Sequence, residues 1–479
     1  MDSLPIGFGE GNTAGAQNHD IYSRYLRPVQ PKESDESESD NSDSDDSDSD
    51  DDKEQFPITH SFQLDPHTRR IESTTFSPHG DKLYSSSNDL NLNIYDFNQM
   101  NPISSNPVKS LEIYETKFIK ILKTNSRGDL LAIPNSGFSF RALDSKGSTI
   151  HEFPEGDRYI YDVTKTKGHT DIITDCSWSP TNPDKFITCS NDSTFRIWNL
   201  KTKQQESVVF IKDKGKKTKV KFIRYTIDSK YIIVIDNDSR LTIWDLATNL
   251  KRPMKEIQLN SKIMAIETST TDENSIVVRS SDYSLKLYDL RTDLSRPVIQ
   301  RLNFKTMDTP YTNQLIYHDQ FIITFINNEQ DLGKNELHIL DKSDLVTLEK
   351  LSYDEEITSI SWKEEINQII VGFKSGKLEI LFNPQVSKNG IKISINNKPK
   401  KRKNFDENDN FITSSTSNIA YNMNELAELN KSKKSKTNDN DEPKKQKFIW
   451  GTTDAEKIEN NINLEDPREA LKKFVESKK

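Results

Sequence analysis

Residues 168–200 read GHTDIITDCSWSPTNPDKFITCSNDSTFRIWNL. Three apolar-rich runs lie within this stretch: DCSWSP (175–180), KFITCS (185–190) and FRIW (195–198), separated by the turn residues TNPD and ND. Runs of β-branched and aromatic residues bounded by Pro, Asn and Asp predict short antiparallel strands. Four further side chains mark the pattern. His169 precedes the first strand, Ser190 ends the second, Asp192 sits in the turn and Trp198 lies on the third. At these spacings they are expected to form one buried hydrogen-bonded chain, an arrangement that is stable only when every member is paired. Ser190, His169 and Asp192 also supply the residue types of a hydrolase triad. The serine has no nucleophile elbow, however, and the spacing is that of a structural unit.

The same design recurs along the chain. Apolar or aromatic side chains precede an acidic or amide residue at IYDF (94–97), RALD (141–144), IWNL (197–200), IWDL (243–246), LYDL (287–290) and HILD (338–341), and LEILF (378–382) occupies a seventh position. A repeat of roughly 40 to 55 residues is that of a four-stranded propeller blade with loop insertions. The expected fold is therefore all-β, a seven-bladed WD40 β-propeller over residues 56–395. Blade three carries the fullest signature, blades one, two, four and five partial ones, and blades six and seven rest mainly on spacing and on the alternation of ITSISWKEEINQIIVGF (357–373). Closing the ring needs a terminal strand paired onto the last blade, which protects the sheet edges. FPITHSFQL (56–64) is the first candidate for that strand and GIKISI (390–395) its rival.

The flanks differ sharply from this body. Hydrophobic residues make up only 32% of the 479, and the net charge is −9. By count, residues 1–55 contribute about −12, residues 383–479 about +5 and the repeat region about −2. Residues 34–52, SDESESDNSDSDDSDSDDD, have no apolar side chain with which to offset the entropy of ordering. Residues 1–55 are read as a disordered acidic tail. Ser37, Ser39, Ser42, Ser44, Ser47 and Ser49 lie beside acidic residues, the pattern of an acidophilic phosphorylation tract that would strengthen attraction to basic partners.

Residues 396–450 are read as a disordered basic linker. Its PKKRK at 399–403, with Lys400, Lys401, Arg402 and Lys403, predicts recognition by a nuclear import receptor and hence a nuclear location. In the last segment, 451–479, NLEDPREALKKFVESKK (463–479) predicts a short helix, with Pro467 in its first turn and Ala470, Leu471 and Phe474 forming an apolar stripe.

Several function classes lose support. No run of 18 apolar residues is present, so no membrane span is expected. The first residues, MDSLPIGFGEGN, lack the basic and apolar regions of a secretory signal. Cys176 and Cys189 both sit in apolar strand-like runs and read as small core residues in a reducing compartment. No phosphate loop or metal-ligand cluster points to an enzyme or to a cofactor. Direct nucleic-acid binding is expected only through the basic stretch 399–447. The KDKGKKTKVKF insertion (212–222) reads as a solvated basic loop.

The strings FPITH (56–60), GDRYIYDVTKTKGHT (156–170), TCSNDSTFRIW (188–198), SDYSLKLYDLR (281–291), FNPQVSKNG (382–390) and DPREAL (466–471) together resemble the WD repeat-containing protein 70, or gastrulation-defective, family. That resemblance implies a nuclear propeller without catalytic activity. It also implies a substrate-receptor-like role in a cullin-RING ubiquitin ligase, acting in chromatin or the DNA-damage response. Receptors of that type carry a Trp-Asp-x-Arg element whose arginine meets the ligase adaptor. Tyr288, Asp289 and Arg291 stand at that element here, with tyrosine in place of tryptophan. The alternative expectation is a scaffold within a nuclear ribonucleoprotein assembly such as the splicing machinery.

Overall fold

The computed structural model describes Arg27–Pro28 and residues 56–397, apart from 102–104, 161, 249, 293, 303, 305–314, 319 and 328–334. Seven four-stranded antiparallel units follow one another in chain order, and a short extra strand joins the last. Blade three shows the plan, with Ile173–Trp178 innermost, then Lys185–Ser190, Thr194–Asn199 and Gln204–Phe210 at the rim. In six of the seven blades the pairing register of the inner strand shifts just after its first residue, from Ile71/Ser73 in blade one to Ile357/Ser359 in blade seven. A bulge at one fixed place increases local twist and re-aims the strand end. Its repetition gives the inner strands a common pitch around the axis.

The blades adhere through apolar seams between neighbours rather than through one central core. Ile121, Leu131, Phe140 and Phe153 of blade two pack against Ile173, Trp178, Phe186 and Trp198 of blade three. In that seam Phe140 and Phe153 stack at 4.7 Å, and Trp198 meets both edge-on at 5.3 and 5.1 Å. Each such side chain contributes roughly 1.5–3 kcal/mol when fully buried, so a continuous ring of seams holds without any single large core.

Blade seven is built from both ends of the propeller sequence. Ile357–Lys363, Gln368–Phe373 and Leu378–Phe382 supply three strands, and His60–Leu64 supplies the fourth. The register runs from His60 opposite Phe382 to Leu64 opposite Leu378. Phe62 and Leu64 are buried with Ile370, Ile380 and Phe97, so this closing strand also seals the seam to blade one. Arg27–Pro28 pairs outside it, opposite Ser61 and His60, and this short strand lies within the region read from sequence as a disordered tail.

The rival closing segment is not a strand. Ile391–Asn396 is a helix. The alternating pattern Ile-Lys-Ile-Ser-Ile suits a strand, but Ile391 and Ile395 are also four apart and share a helical face. Since His60–Leu64 already occupies the edge, the segment turns beneath the seam instead. There Ile391 joins the cluster of Phe97 and Met100, with Ile395 packed against it. Ser394 Oγ donates to the Phe97 carbonyl at 2.8 Å, and Asn397 Nδ2 donates to the carbonyls of Asn98 and Met100 at 3.1 and 3.0 Å. Strand and helix together bolt blade seven to blade one.

The acidic tract with Ser37, Ser39, Ser42, Ser44, Ser47 and Ser49, the basic run Lys400–Lys403 and the expected C-terminal helix all lie outside the described residues.

Candidate functional site: buried dyads and the lower rim

We call the face on which inner strands begin the upper face, and the opposite one the lower. On the upper face of blade three, His169 Nδ1 lies 2.9 Å from Asp192 Oδ2. His169 Nε2 lies 2.7 Å from Thr188 Oγ1, and Trp198 Nε1 donates to the same hydroxyl at 2.8 Å. The residue joining histidine to tryptophan is thus Thr188, not Ser190 as the sequence pattern suggests. Both side chains are on one face of the strand, two residues apart, but only Thr188 lies diagonally across from Trp198. Ser190, at the strand end, donates instead to the Asp171 carbonyl at 2.9 Å and accepts from the Asp192 N–H at 3.1 Å.

The chemistry of this chain is static. A carboxylate only accepts, so His169 Nδ1 carries the proton, its Nε2 accepts from Thr188, and Thr188 accepts from the indole. Burial pushes the His169 imidazole below its ordinary value, against the pull of Asp192. Burial alone would raise the Asp192 carboxyl, but its contacts with His169, Thr194 and the Thr170 N–H outweigh this and hold it well below the usual carboxylate range. His169 and Thr188 are fully buried. No substrate reaches them, and the triad reading of Ser190, His169 and Asp192 fails on geometry because Ser190 does not meet His169.

Blade one repeats the device in a form the sequence pattern did not disclose. His67 Nδ1 lies 2.8 Å from Asp89 Oδ2, and His67 Nε2 lies 2.8 Å from Ser85 Oγ. Tyr95, paired with Leu83, stands where blade three pairs Trp198 with Phe186. The usable signal was the offset between histidine and aspartate, 67 to 89, nearly that of 169 to 192. Blade four has no such histidine. There buried Arg240 gathers Asp236, Asp213 and Glu256 at 3.2, 3.1 and 2.7 Å.

The loop entering blade three is also built into the body. Gly156 and Gly168 let it cross itself, since a Cβ on Gly156 would stand 2.1 Å from the Gly168 carbonyl oxygen and one on Gly168 1.9 Å from that of Pro154. Arg196, fully buried, donates to the Thr166 carbonyl at 2.9 Å, to Thr166 Oγ1 at 2.7 Å and to the Val163 carbonyl at 3.1 Å. The crossing presents Tyr159, almost wholly exposed, at its tip.

On the lower face, Tyr288 is buried in the seam between blades four and five, while Asp289 and Arg291 form a surface fork. Arg291 Nη2 lies 2.8 Å from Asp289 Oδ2 and its Nε 3.1 Å from Oδ1; the Arg291 N–H donates to Oδ1 at 2.9 Å. The hydrogen bond from Arg291 and the positive charge beside it hold the Asp289 carboxyl below its ordinary value. The Arg291 side chain is nevertheless 68% exposed, oriented by the fork and open to solvent. On the same lower rim, the residues just before the rim strands of three successive blades are apolar and exposed: Met254 (48%), Val298 (57%) and Val346 (57%). Leu302 and Leu348 add to this exposed apolar surface on blades five and six.

Comparison with known proteins agrees with the architecture. The WD domain, G-beta repeat model matches residues 58–96 and 161–199, which span the two histidine–aspartate pairs. WD repeat-containing protein 70 of Homo sapiens is 30% identical over 356 residues, covering 71% of this chain and 53% of the human protein. An uncharacterized WD repeat-containing protein of Schizosaccharomyces pombe is 26% identical over 445 residues, covering 84% of this chain and 76% of its own length. Gastrulation defective protein 1 homolog of Drosophila melanogaster is 30% identical over 193 residues, 40% of this chain and 29% of the fly protein. The chain thus spans little more than half the length of the vertebrate relatives it matches. With seven closed blades, two histidine–aspartate pairs and this likeness, the chain is a WD40-repeat propeller protein whose homologues include the WD repeat-containing protein 70 proteins.

Proposed function

We propose that this propeller is a non-catalytic nuclear scaffold whose partner sits on the lower rim of blades four to six, with Arg291 as the anchor. The carrying observation is an exposed arginine held in one orientation by Asp289, on a lower rim where Met254, Val298 and Val346 are exposed at the starts of successive rim strands. Such a combination, an oriented charged group and exposed apolar side chains on one rim, is the composition of an interface hot spot. The resemblance of Tyr288-Asp289-Leu290-Arg291 to a ligase-adaptor element makes a cullin-RING ubiquitin ligase the assembly of choice, with chromatin or the DNA-damage response as its setting. Import would rest on Lys400, Lys401, Arg402 and Lys403.

The test compares proteins recovered from nuclear extract with the wild-type chain and with the Asp289→Ala/Arg291→Ala variant. Ligase subunits should be present with the wild type and depleted with the variant. Equal recovery, or none with either, refutes the assignment. Recovery of splicing ribonucleoproteins in their place would move the chain to that assembly.

A further inference from the structure

Between the rim strand of blade three and the inner strand of blade four, Lys212–Asp213 and Lys216–Lys217 pair as a small hairpin on the upper face. It turns through Lys214 and Gly215, both at positive φ (46° and 85°). Its base is fixed from within: buried Arg240 donates to the Lys212 carbonyl at 2.9 Å and to Asp213 Oδ1 at 3.1 Å. Asp213, the one acidic residue of the hairpin, is therefore engaged by the body.

The lysines are not so engaged. Lys212 and Lys217 face each other across the hairpin, a like-charge pairing that destabilises it. Both lie near the Phe210 ring, at 5.0 and 5.6 Å. Lys212, Lys214, Lys216, Lys217 and Lys219 are exposed, and among the described residues none of the five has an acidic partner. A hairpin anchored from within, with Lys212 and Lys217 opposed at its base and Lys214 and Lys216 exposed at its turn, is positioned to receive an external anion.

We propose that this hairpin is the docking site for the acidic tract, residues 34–52, of a second copy of the chain. The tract carries eleven Asp and Glu side chains and no basic one, which makes it the natural complement of a lysine cluster. Its own copy is poorly placed to supply it. The tract lies within the 27 residues 29–55, bounded by Pro28 on blade seven and by Phe56 beside Phe321 on the lower face. Doubled back at full extension, such a stretch reaches about 46 Å. Blades three and four are three places from blade seven in either direction. Crossing a ring of four-stranded blades at ~4.8 Å per strand takes about 45 Å, with about 20 Å more to pass from lower to upper face. The contact is therefore between copies, which can exchange tracts reciprocally in a closed pair or pass them on in series. Phosphorylation within the tract would add about −1.5 to −2 per serine and tighten it.

Sedimentation velocity on the full chain at about 50 and 300 mM salt tests this, because exposed charge pairs are screened as salt rises. Association at low salt that dissociates at high salt is expected. Lys214→Glu/Lys216→Glu/Lys217→Glu/Lys219→Glu should weaken it at least tenfold with an unchanged melting temperature. Asp43→Asn/Asp45→Asn/Asp46→Asn/Asp48→Asn, which leaves the propeller untouched, should do the same. Mixing the two variants should restore a one-to-one complex, since one retains the tract and the other the hairpin. A wild-type chain that stays monomeric at low salt overturns the proposal. So does association by either variant alone at wild-type strength, or hairpin-dependent capture of a single-stranded oligonucleotide without self-association.

Discussion

Replacing Thr188 with valine keeps the shape of the side chain and removes only its hydroxyl. Two buried groups then lose their partner together: the Trp198 indole N–H and the His169 Nε2, now 2.8 and 2.7 Å from that oxygen. Each buried polar group left unpaired costs roughly 1–3 kcal/mol, which puts Thr188→Val near 3 kcal/mol after partial relaxation. Thr188→Ser retains both hydrogen bonds and loses one methyl, at about 1 kcal/mol, and blade one already carries Ser85 in the corresponding bond. Ser190→Ala frees the Asp171 carbonyl and the Asp192 N–H, both on partly buried residues open to replacement by water, so its effect should be smaller than that of valine at 188. With an unfolding entropy of ~2.1 cal/mol/K per residue over roughly 340 residues, a loss of ~3 kcal/mol lowers the melting temperature by about 4 °C. Differential scanning calorimetry on the three variants reads the order directly. Valine and serine at 188 with the same effect, or Ser190→Ala as the most damaging change, would refute the relay through Thr188.

Acidification makes a second expectation. The His169 imidazole is held below its ordinary value in the folded protein, so between that value and the unfolded one near 6.5 the unfolded chain binds more protons. Stability is full above about pH 6.5 and falls as pH drops through it; urea midpoints should decline from pH 7 to 5, and His169→Gln should flatten that decline. His338 is shifted in the same direction by burial and contributes likewise. Phe62→Ala should cost about 3–5 kcal/mol through the cavity it leaves in the closing seam, measured by chemical denaturation. Both thiols are buried and raised, Cys176 to about 12, so a thiol reagent should modify neither in the native protein and two per chain after unfolding. Arg291→Ala should leave the melting temperature unchanged, because among the described residues its side chain bonds only at the surface, with Asp289.

Much of this architecture was legible because a blade depends on alternation and turns, which leave a mark in every repeat. The positions of IYDF, IWNL, IWDL and LYDL on third strands follow directly from their pattern. What was not legible is depth along a strand. Thr188 and Ser190 have the same parity, and only the cross-strand register shows which of them meets Trp198. Period also failed at IKISI, where spacings of two and four coexist and the occupied sheet edge decides for helix. At blade one the tryptophan is absent and His67 lacks a preceding glycine, so the dyad leaves only its histidine–aspartate offset behind. The lower rim was partly visible: Arg291 stands out in sequence, but the alignment of Met254, Val298 and Val346 is a property of the ring.

The way blade seven is assembled sets a clock on the nascent chain. His60–Leu64 leaves the ribosome before the blades it closes, and its partner Leu378–Phe382 follows about 320 residues later, some 15 to 60 s at 5–20 residues per second. For that interval a strand with apolar Phe62 and Leu64 waits with no sheet to join, while six blades stack as an open arc with a bare edge at each end. Completion of the ring is thus a late, single event that joins the first and last strands of the propeller. During synthesis this chain has its greatest need of a chaperone just before its last blade is finished.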